Sequence, residues 1–158
     1  MMDAQEVNRI LDALDGAGVG HCVAGGWGVD ALVGAQTRDH RDLDLLVDSR
    51  DFDRCREVLR TMGYEPETDW LPVRLEVAAP GKRWVDLHPV VMDAAGNGVQ
   101  QGMDDTTFSY AREVFTLGVV DERIVPCVTA ELQLRVHQGY DMRPQDEHDL
   151  RQISGLAE

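Results

Sequence analysis

Three carboxylates and a glycine pair are the residues whose types and spacing suggest chemistry. Asp42 and Asp44 stand one residue apart in HRDLDLLVD, residues 40–48. Residues two apart in a strand share a face, so Asp42 and Asp44 point one way and Leu43 and Leu45 the other. Two carboxylates side by side on a half-buried strand repel each other unless a cation sits between them. Mg2+ takes hard oxygen ligands and is typically held by one or two carboxylates together with substrate phosphates. Asp86, in WVDLHPV, shares a face with Trp84 and His88 and offers a third carboxylate, as a metal ligand or as acceptor of a proton from an attacking hydroxyl. Gly25-Gly26 falls between a strand-like run and a helix start, where bare backbone and unpaired N–H groups can meet phosphate oxygens. Taken singly, each pattern also fits a plain structural role: a tight turn, an edge strand with solvated acids, a surface aspartate opposite Val85 and Leu87. Glu76, in the preceding strand-like run, is a rival for the third carboxylate.

The elements that must position these groups follow from periodicity. Val7, Ile10, Leu11 and Leu14 predict an opening helix that ends in Gly16, Gly18 and Gly20. A short strand, HCVA, leads to the glycine pair and a brief helix over WGVDALVG, and AQTRD leads into the aspartate strand. Ser49 is the expected cap of the next helix, with Phe52, Cys55, Val58, Leu59 and Met62 as its apolar stripe. LPVRLEVA and RWVDLHPVV, joined by APGK, predict a β-hairpin that places Asp86 beside the aspartate strand. Residues 93–106 are rich in Gly and Asp and read as loop; residues 108–129 read as short strands. Thr129 caps a helix over AELQLRVHQGY, and a terminal helix starts at about Asp146. The expected fold is α+β, a small mixed sheet flanked by helices with a C-terminal helical tail. It forms one domain over 1–158, with a catalytic sheet-and-helix core over roughly 1–106 and C-terminal strands and helices over roughly 107–158.

Composition narrows the function classes. The 158 residues carry a formal net charge of −14, with 29 acidic side chains against 15 Lys and Arg. That balance excludes the basic footprint of a nucleic-acid binder and suits a small cationic substrate. No run is long or apolar enough to span a membrane, and the N-terminal residues do not form a signal peptide. Cys22, Cys55 and Cys127 are odd in number and form no Cys-x-x-Cys pair, so the expectation is a cytoplasmic protein without disulfides.

In order, a Gly-Gly turn into a helix, Asp-x-Asp on the next strand and Asp on a later strand resemble the DNA polymerase β-like nucleotidyltransferase superfamily. Within it, GGWGVDALVG, HRDLDLLVD, WVDLHPV and LQLRVHQGYD are similar to the small lincosamide nucleotidyltransferases, and more distantly to the aminoglycoside 2″-adenylyltransferases. The likeness runs from the first helix to DEHDL. It implies Mg2+, two ions in the usual arrangement, with ATP as co-substrate. Asp42 and Asp44 would hold the metal against the triphosphate, Asp86 would serve as ligand, general base or both, and Gly25 and Gly26 would contact the triphosphate. The implied reaction moves AMP to a hydroxyl of a lincosamide or aminoglycoside with pyrophosphate leaving. Alternatives are an antitoxin-like enzyme that modifies a protein hydroxyl and a catalytically silent nucleotide-binding module.

Two departures from the family pattern are visible. Gly26 stands where relatives often carry Ser, and the only lysine is Lys82, so a phosphate-neutralising lysine is missing from the C-terminal part. Arg38, Arg41, Arg135 or His137 must substitute; Arg41 points away from Asp42 on a regular strand, which favours Arg38. His40 alternates onto the aspartate face and is a candidate for phosphate contact. His88, His137, Tyr140 and Asp141 are candidates for the acceptor pocket or its support, and Trp70 and Trp84 for an apolar wall. Trp27 is expected in the core and His148-Asp149 on a solvated face. A homodimer through residues 108–129 is a further expectation.

Overall fold

A computed structural model describes residues 1–137 and 142–156. The chain opens with helix α1 (Ala4–Gly16), strand β1 (His21–Ala24) and helix α2 (Gly25–Val33). Strand β2 (Asp42–Asp48) follows, then helix α3 (Phe52–Thr61) and strands β3 (Glu65–Trp70), β4 (Arg74–Ala79) and β5 (Arg83–Met92). The second half holds β6 (Gly98–Gln101), β7 (Thr107–Tyr110), β8 (Phe115–Val120), β9 (Arg123–Val128), α4 (Ala130–Val136) and α5 (Pro144–Ile153).

The main sheet runs β3-β4-β5-β2-β1-β9-β8, and β6 and β7 extend it from the far end of β5. It is mixed: β2 lies parallel to β5 and antiparallel to β1, while β4 and β5 form the expected antiparallel hairpin. Alternation along β2 separates two environments. Leu43, Leu45 and Val47 are fully buried beneath α1 and α3, joining Val7, Ile10, Leu11 and Leu14 of α1 and Phe52, Cys55 and Leu59 of α3. Each such side chain contributes roughly 1.5–3 kcal/mol of burial, enough to lock the register and hold the aspartates on the opposite face. That opposite face has its own apolar cluster, Cys22, Leu46, Val90, Tyr110, Val128 and Leu132. A third, Val29, Ala130 and Ile153, ties α2, α4 and α5 together.

Several expectations need correction. Residues 93–106 are not all loop, because Gly98–Gln101 pairs with both β5 and β7. β3 was not legible, since five of its six residues are exposed and only an edge strand with one neighbour results. Ser49 does not cap α3; it opens a 3-10 turn capped by Asp48, which accepts from the Arg50 N–H at 3.0 Å. The last helix begins at Pro144, two residues before Asp146, with proline at its first turn. Thr129 does cap α4, its hydroxyl accepting from Leu132 N–H. The three cysteines are free and buried, and no described helix is long and apolar enough to cross a membrane.

Candidate active site

Register builds the site. Across three neighbouring strands, Glu76 of β4 lies beside Asp86 of β5, and Asp86 beside Asp44 of β2. Asp44 in turn faces Ala24, the last residue of β1, so the row ends where Gly25 begins. Asp42 stands one step along on the same face, and His88 one step in the other direction. The three sequence-selected aspartates therefore do share one face and one end of the sheet.

The glycine pair is shaped by these neighbours. Gly25 has φ +59°, and a Cβ there would overlap the Asp44 carboxylate, with Asp44 Cγ at 2.9 Å. A Cβ on Gly26 would lie 2.6 Å from His40 Nδ1 and would collide with Arg38 Nη2. Only bare backbone allows the start of α2 to approach both Asp44 and Arg38. Gln133 of α4, itself buried, donates to the Gly25 carbonyl at 3.1 Å and holds the turn from above.

Cations surround the carboxylates. Arg74 donates to Asp86 Oδ2 at 2.8 Å, and Arg41 Nη1 lies 3.1 Å from both Asp42 Oδ2 and Glu76 Oε2. Arg41 thus does not point away from Asp42. The regular strand starts only at Asp42, so Arg41 precedes the alternation and folds back, stacking over Trp84 at 4.2 Å. His40, also ahead of the ladder, lies on the wall of the polar cavity that holds Asp42, Asp44 and Asp86. It is buried against Trp27, its Nε2 2.6 Å from Asp30, and supports the turn from behind. His88 Nε2 lies 3.4 Å from Asp44 Oδ1 and 3.7 Å from Asp86 Oδ2. Gln100 of the unforeseen strand β6 meets His88 Nδ1 at 3.3 Å.

Electrostatics mark the cluster as short of positive charge. Burial, then repulsion from Asp44, pushes the Asp42 carboxyl well above its ordinary range. Burial also raises Asp86, against the opposing pull of His88 and Arg74. Burial alone would lower His88, but its contacts with Asp44 and Asp86 outweigh that and raise it. Asp86 Oδ1 is buried without a hydrogen-bond partner, a costly state for a carboxylate oxygen. Among the described residues, Asp44, Asp86 and His88 bring ligand atoms within 4.8 Å of one another. An orphaned oxygen and mutually repelling carboxylates fit a divalent cation with hard-oxygen preference.

Two cavities meet at Gly25 and Asp44. The larger, about 410 Å³, is polar and also contains Gly26, Arg38, Arg41, Arg74 and Asp86, with Asp146 and Asp149 of α5 on its outer wall. The smaller, about 260 Å³, is lined by His88, Gln100, Tyr110, Leu132 and His137 among others. Arg38 is therefore at the carboxylate cavity, whereas Arg135 stacks over Phe108 and is not among the residues lining it. Trp70 and Trp84 are not among the residues lining either cavity, and Arg74 and Arg41 stack over their rings. His148 and Asp149 are not on a solvated face: Asp149 is 3% exposed and pairs with Arg38, and His148 Nε2 meets Thr37 at 2.9 Å. Tyr140 and Asp141 lie outside the described residues. Sequence reasoning missed Arg74, Gln133, Gln100 and Asp149. Only Arg74 left a signal, sharing the alternation of Glu76 on β4.

The chain as a whole is similar to known proteins. The sequence model of the aminoglycoside-2″-adenylyltransferase family matches residues 6–153. A lincosamide resistance protein of Staphylococcus haemolyticus is 30% identical over 153 residues, 97% of this chain and 95% of that protein. The crystal structure of the lincosamide antibiotic adenylyltransferase LnuA, lincomycin-bound, superposes with a TM-score of 0.88 at 30% identity, covering 96% of each chain. ANT(2″)-Ia in complex with adenylyl-2″-tobramycin shares the fold, with a TM-score of 0.76 at 18% identity over 97% of this chain and 88% of that one. The carboxylate row, the glycine turn and these likenesses converge: the chain belongs to the aminoglycoside-2″-adenylyltransferase family of antibiotic nucleotidyltransferases.

Proposed function

We propose that this protein transfers AMP from ATP to a hydroxyl of a lincosamide or aminoglycoside, releasing pyrophosphate. The observation that carries the reading is the row Glu76–Asp86–Asp44 ending at Gly25, which sets carboxylates against a phosphate-accepting turn. Asp42, Asp44 and Asp86 are the residues that would hold Mg2+, with His88 hydrogen-bonded to Asp44 and 3.7 Å from Asp86. When bound, the metal neutralises triphosphate charge and lowers the pKa of the attacking hydroxyl.

The remaining work belongs to the chain itself. Gly25 and Gly26 admit phosphate oxygens to the N-terminus of α2, and Arg38 adds a positive charge beside Gly26. Asp86, held by Arg74 and raised by burial, takes the proton of the acceptor hydroxyl. Glu76 is the weaker candidate for that task because Arg41 engages it and it stands one strand farther from Asp44. Positioning and charge compensation carry most of the acceleration in such a displacement. The second cavity, next to Asp44, gives room for an organic group beside the reacting phosphate. An acidic surface attracts an amine-bearing acceptor, and the protein acts in the cytoplasm, where ATP is available.

The test is mass spectrometry of lincomycin and tobramycin after incubation with the protein, ATP and Mg2+. The expected result is an AMP adduct on at least one of them, absent without Mg2+. Label transferred from ATP only to a protein in a cell lysate would overturn the small-molecule reading.

A further inference from the structure

We propose that Asp149, on the C-terminal helix, is a positioning residue that fixes the Arg38 guanidinium against the Gly25-Gly26 turn for nucleotide binding. The inference rests on the nucleotidyl-transfer reading and names the residue that makes its phosphate contact specific.

Arg38 lies between α2 and β2, in a segment without regular structure. An arginine in such a segment samples many rotamers, and ordering it costs side-chain entropy. Here it is already ordered. Asp149 accepts two parallel hydrogen bonds, Arg38 Nε to Oδ1 and Nη2 to Oδ2, both 2.8 Å. Arg38 Nη1 also donates to the Asp39 carbonyl at 3.0 Å. A guanidinium has five N–H donors; the three bonds leave one on each terminal nitrogen. Arg38 Nη2 is so near Gly26 that a Cβ there would strike it, and both residues line the polar cavity with Asp42, Asp44 and Asp86. The clamp thus turns one edge of the fork to Asp149 and holds the rest beside the glycine turn.

The segment does not need Asp149 to stay in place. His148 meets the Thr37 hydroxyl, Thr37 donates to Asp30 through both its N–H and its hydroxyl, and Asp30 meets His40, so Arg38 is flanked by anchored neighbours. The helix α5 has its own apolar anchor in Ile153, packed with Val29 and Ala130. Buried ion pairs are a poor source of net stability, because desolvation offsets their attraction. A bidentate pair at a cavity wall, between elements already docked, is instead suited to orienting a cation. It also supplies what the missing lysine would have supplied: a charge whose direction is set by the C-terminal part of the chain.

The test is titration calorimetry of Mg-ATP and of magnesium tripolyphosphate, without acceptor, on the wild type, Asp149→Asn, Asp149→Glu, Arg38→Ala and the double variant Arg38→Ala/Asp149→Asn, with a melting curve for each. Asp149→Asn should weaken both ligands about tenfold, the worth of one misdirected charge-assisted hydrogen bond. On the Arg38→Ala background the same change should cost less than about twofold, because the residue acts through Arg38. Asp149→Glu should recover part of the affinity. If Asp149→Asn does not fold, Arg38→Lys replaces it: keeping the charge but losing the fork should also cost about tenfold. Wild-type affinity in Asp149→Asn, an equal loss on both backgrounds, or wild-type affinity in Arg38→Lys would overturn the proposal. A wild type that binds neither ligand would sink the transfer reading itself, which is a different result from an indifferent Asp149.

Discussion

The substitution Gly25→Ala separates backbone strain from site geometry when paired with Gly34→Ala. Both glycines have positive φ, +59° and +85°, and both bound α2. Placing a Cβ residue in that region costs roughly 1–2 kcal/mol, which for a domain of this size lowers Tm by roughly 3–6 °C. At Gly34 that is the whole effect, because nothing lies within 4 Å of the added carbon. At Gly25 the new Cβ meets Asp44 Cγ at 2.9 Å and Asp44 Cβ at 3.1 Å and overlaps the carboxylate oxygen. Carbon–carbon contacts are comfortable at about 3.5–4 Å, so the Asp44 carboxylate must move on the order of 1 Å. A displacement of that size at a reacting centre costs about 100-fold. The assay is the initial rate of pyrophosphate release with ATP, Mg2+ and the antibiotic acceptor, alongside thermal melting. Expected are a melting temperature for Gly25→Ala no higher than that of Gly34→Ala, a rate close to wild type for Gly34→Ala and one about 100-fold lower for Gly25→Ala. Equal rates in the two variants would refute the claim that Gly25 is there to make room for Asp44.

Further predictions concern the base and the acid limb of stability. Asp86→Asn should lower kcat by about 100- to 10,000-fold, the range for a lost general base, whereas Glu76→Gln should stay within about tenfold; steady-state kinetics of the two variants decide it, and the reverse order would assign the proton to Glu76. Burial would raise Asp30, but hydrogen bonds from His40 and Thr37 outweigh it and hold its carboxyl below the usual range. Burial would likewise raise Asp146, but hydrogen bonds from Arg143 outweigh it and hold that carboxyl low. A depressed carboxyl contributes stability that is present above the unfolded pKa, near 4, and is lost as pH falls through the folded value. The wild type should therefore lose stability steeply below about pH 4, and Asp30→Asn, though less stable at neutral pH, should show a shallower acid limb in urea titrations.

What the sequence determined by itself was whatever depends on local period and local chemistry. The alternation of Asp42, Leu43, Asp44 and Leu45 sorted acids from apolar side chains before any contact was known, and the same rule put Asp86 and His88 on one face of β5. The stripe of α1, the Thr129 cap and the APGK hairpin were legible for the same reason. Where alternation was extended past the true strand end, to Arg41, it failed, because a side chain outside the ladder follows its nearest partner and not the pleat. Gln100, Gln133 and Asp149 left no local signal at all. They reach the site across 12, 108 and 111 residues of chain, to His88, Gly25 and Arg38. Only the docking of β6, α4 and α5 decided which of many polar side chains would stand there. Short-range periodicity fixes the face a residue occupies; its partner across the fold is chosen by packing, which no local stretch of sequence contains.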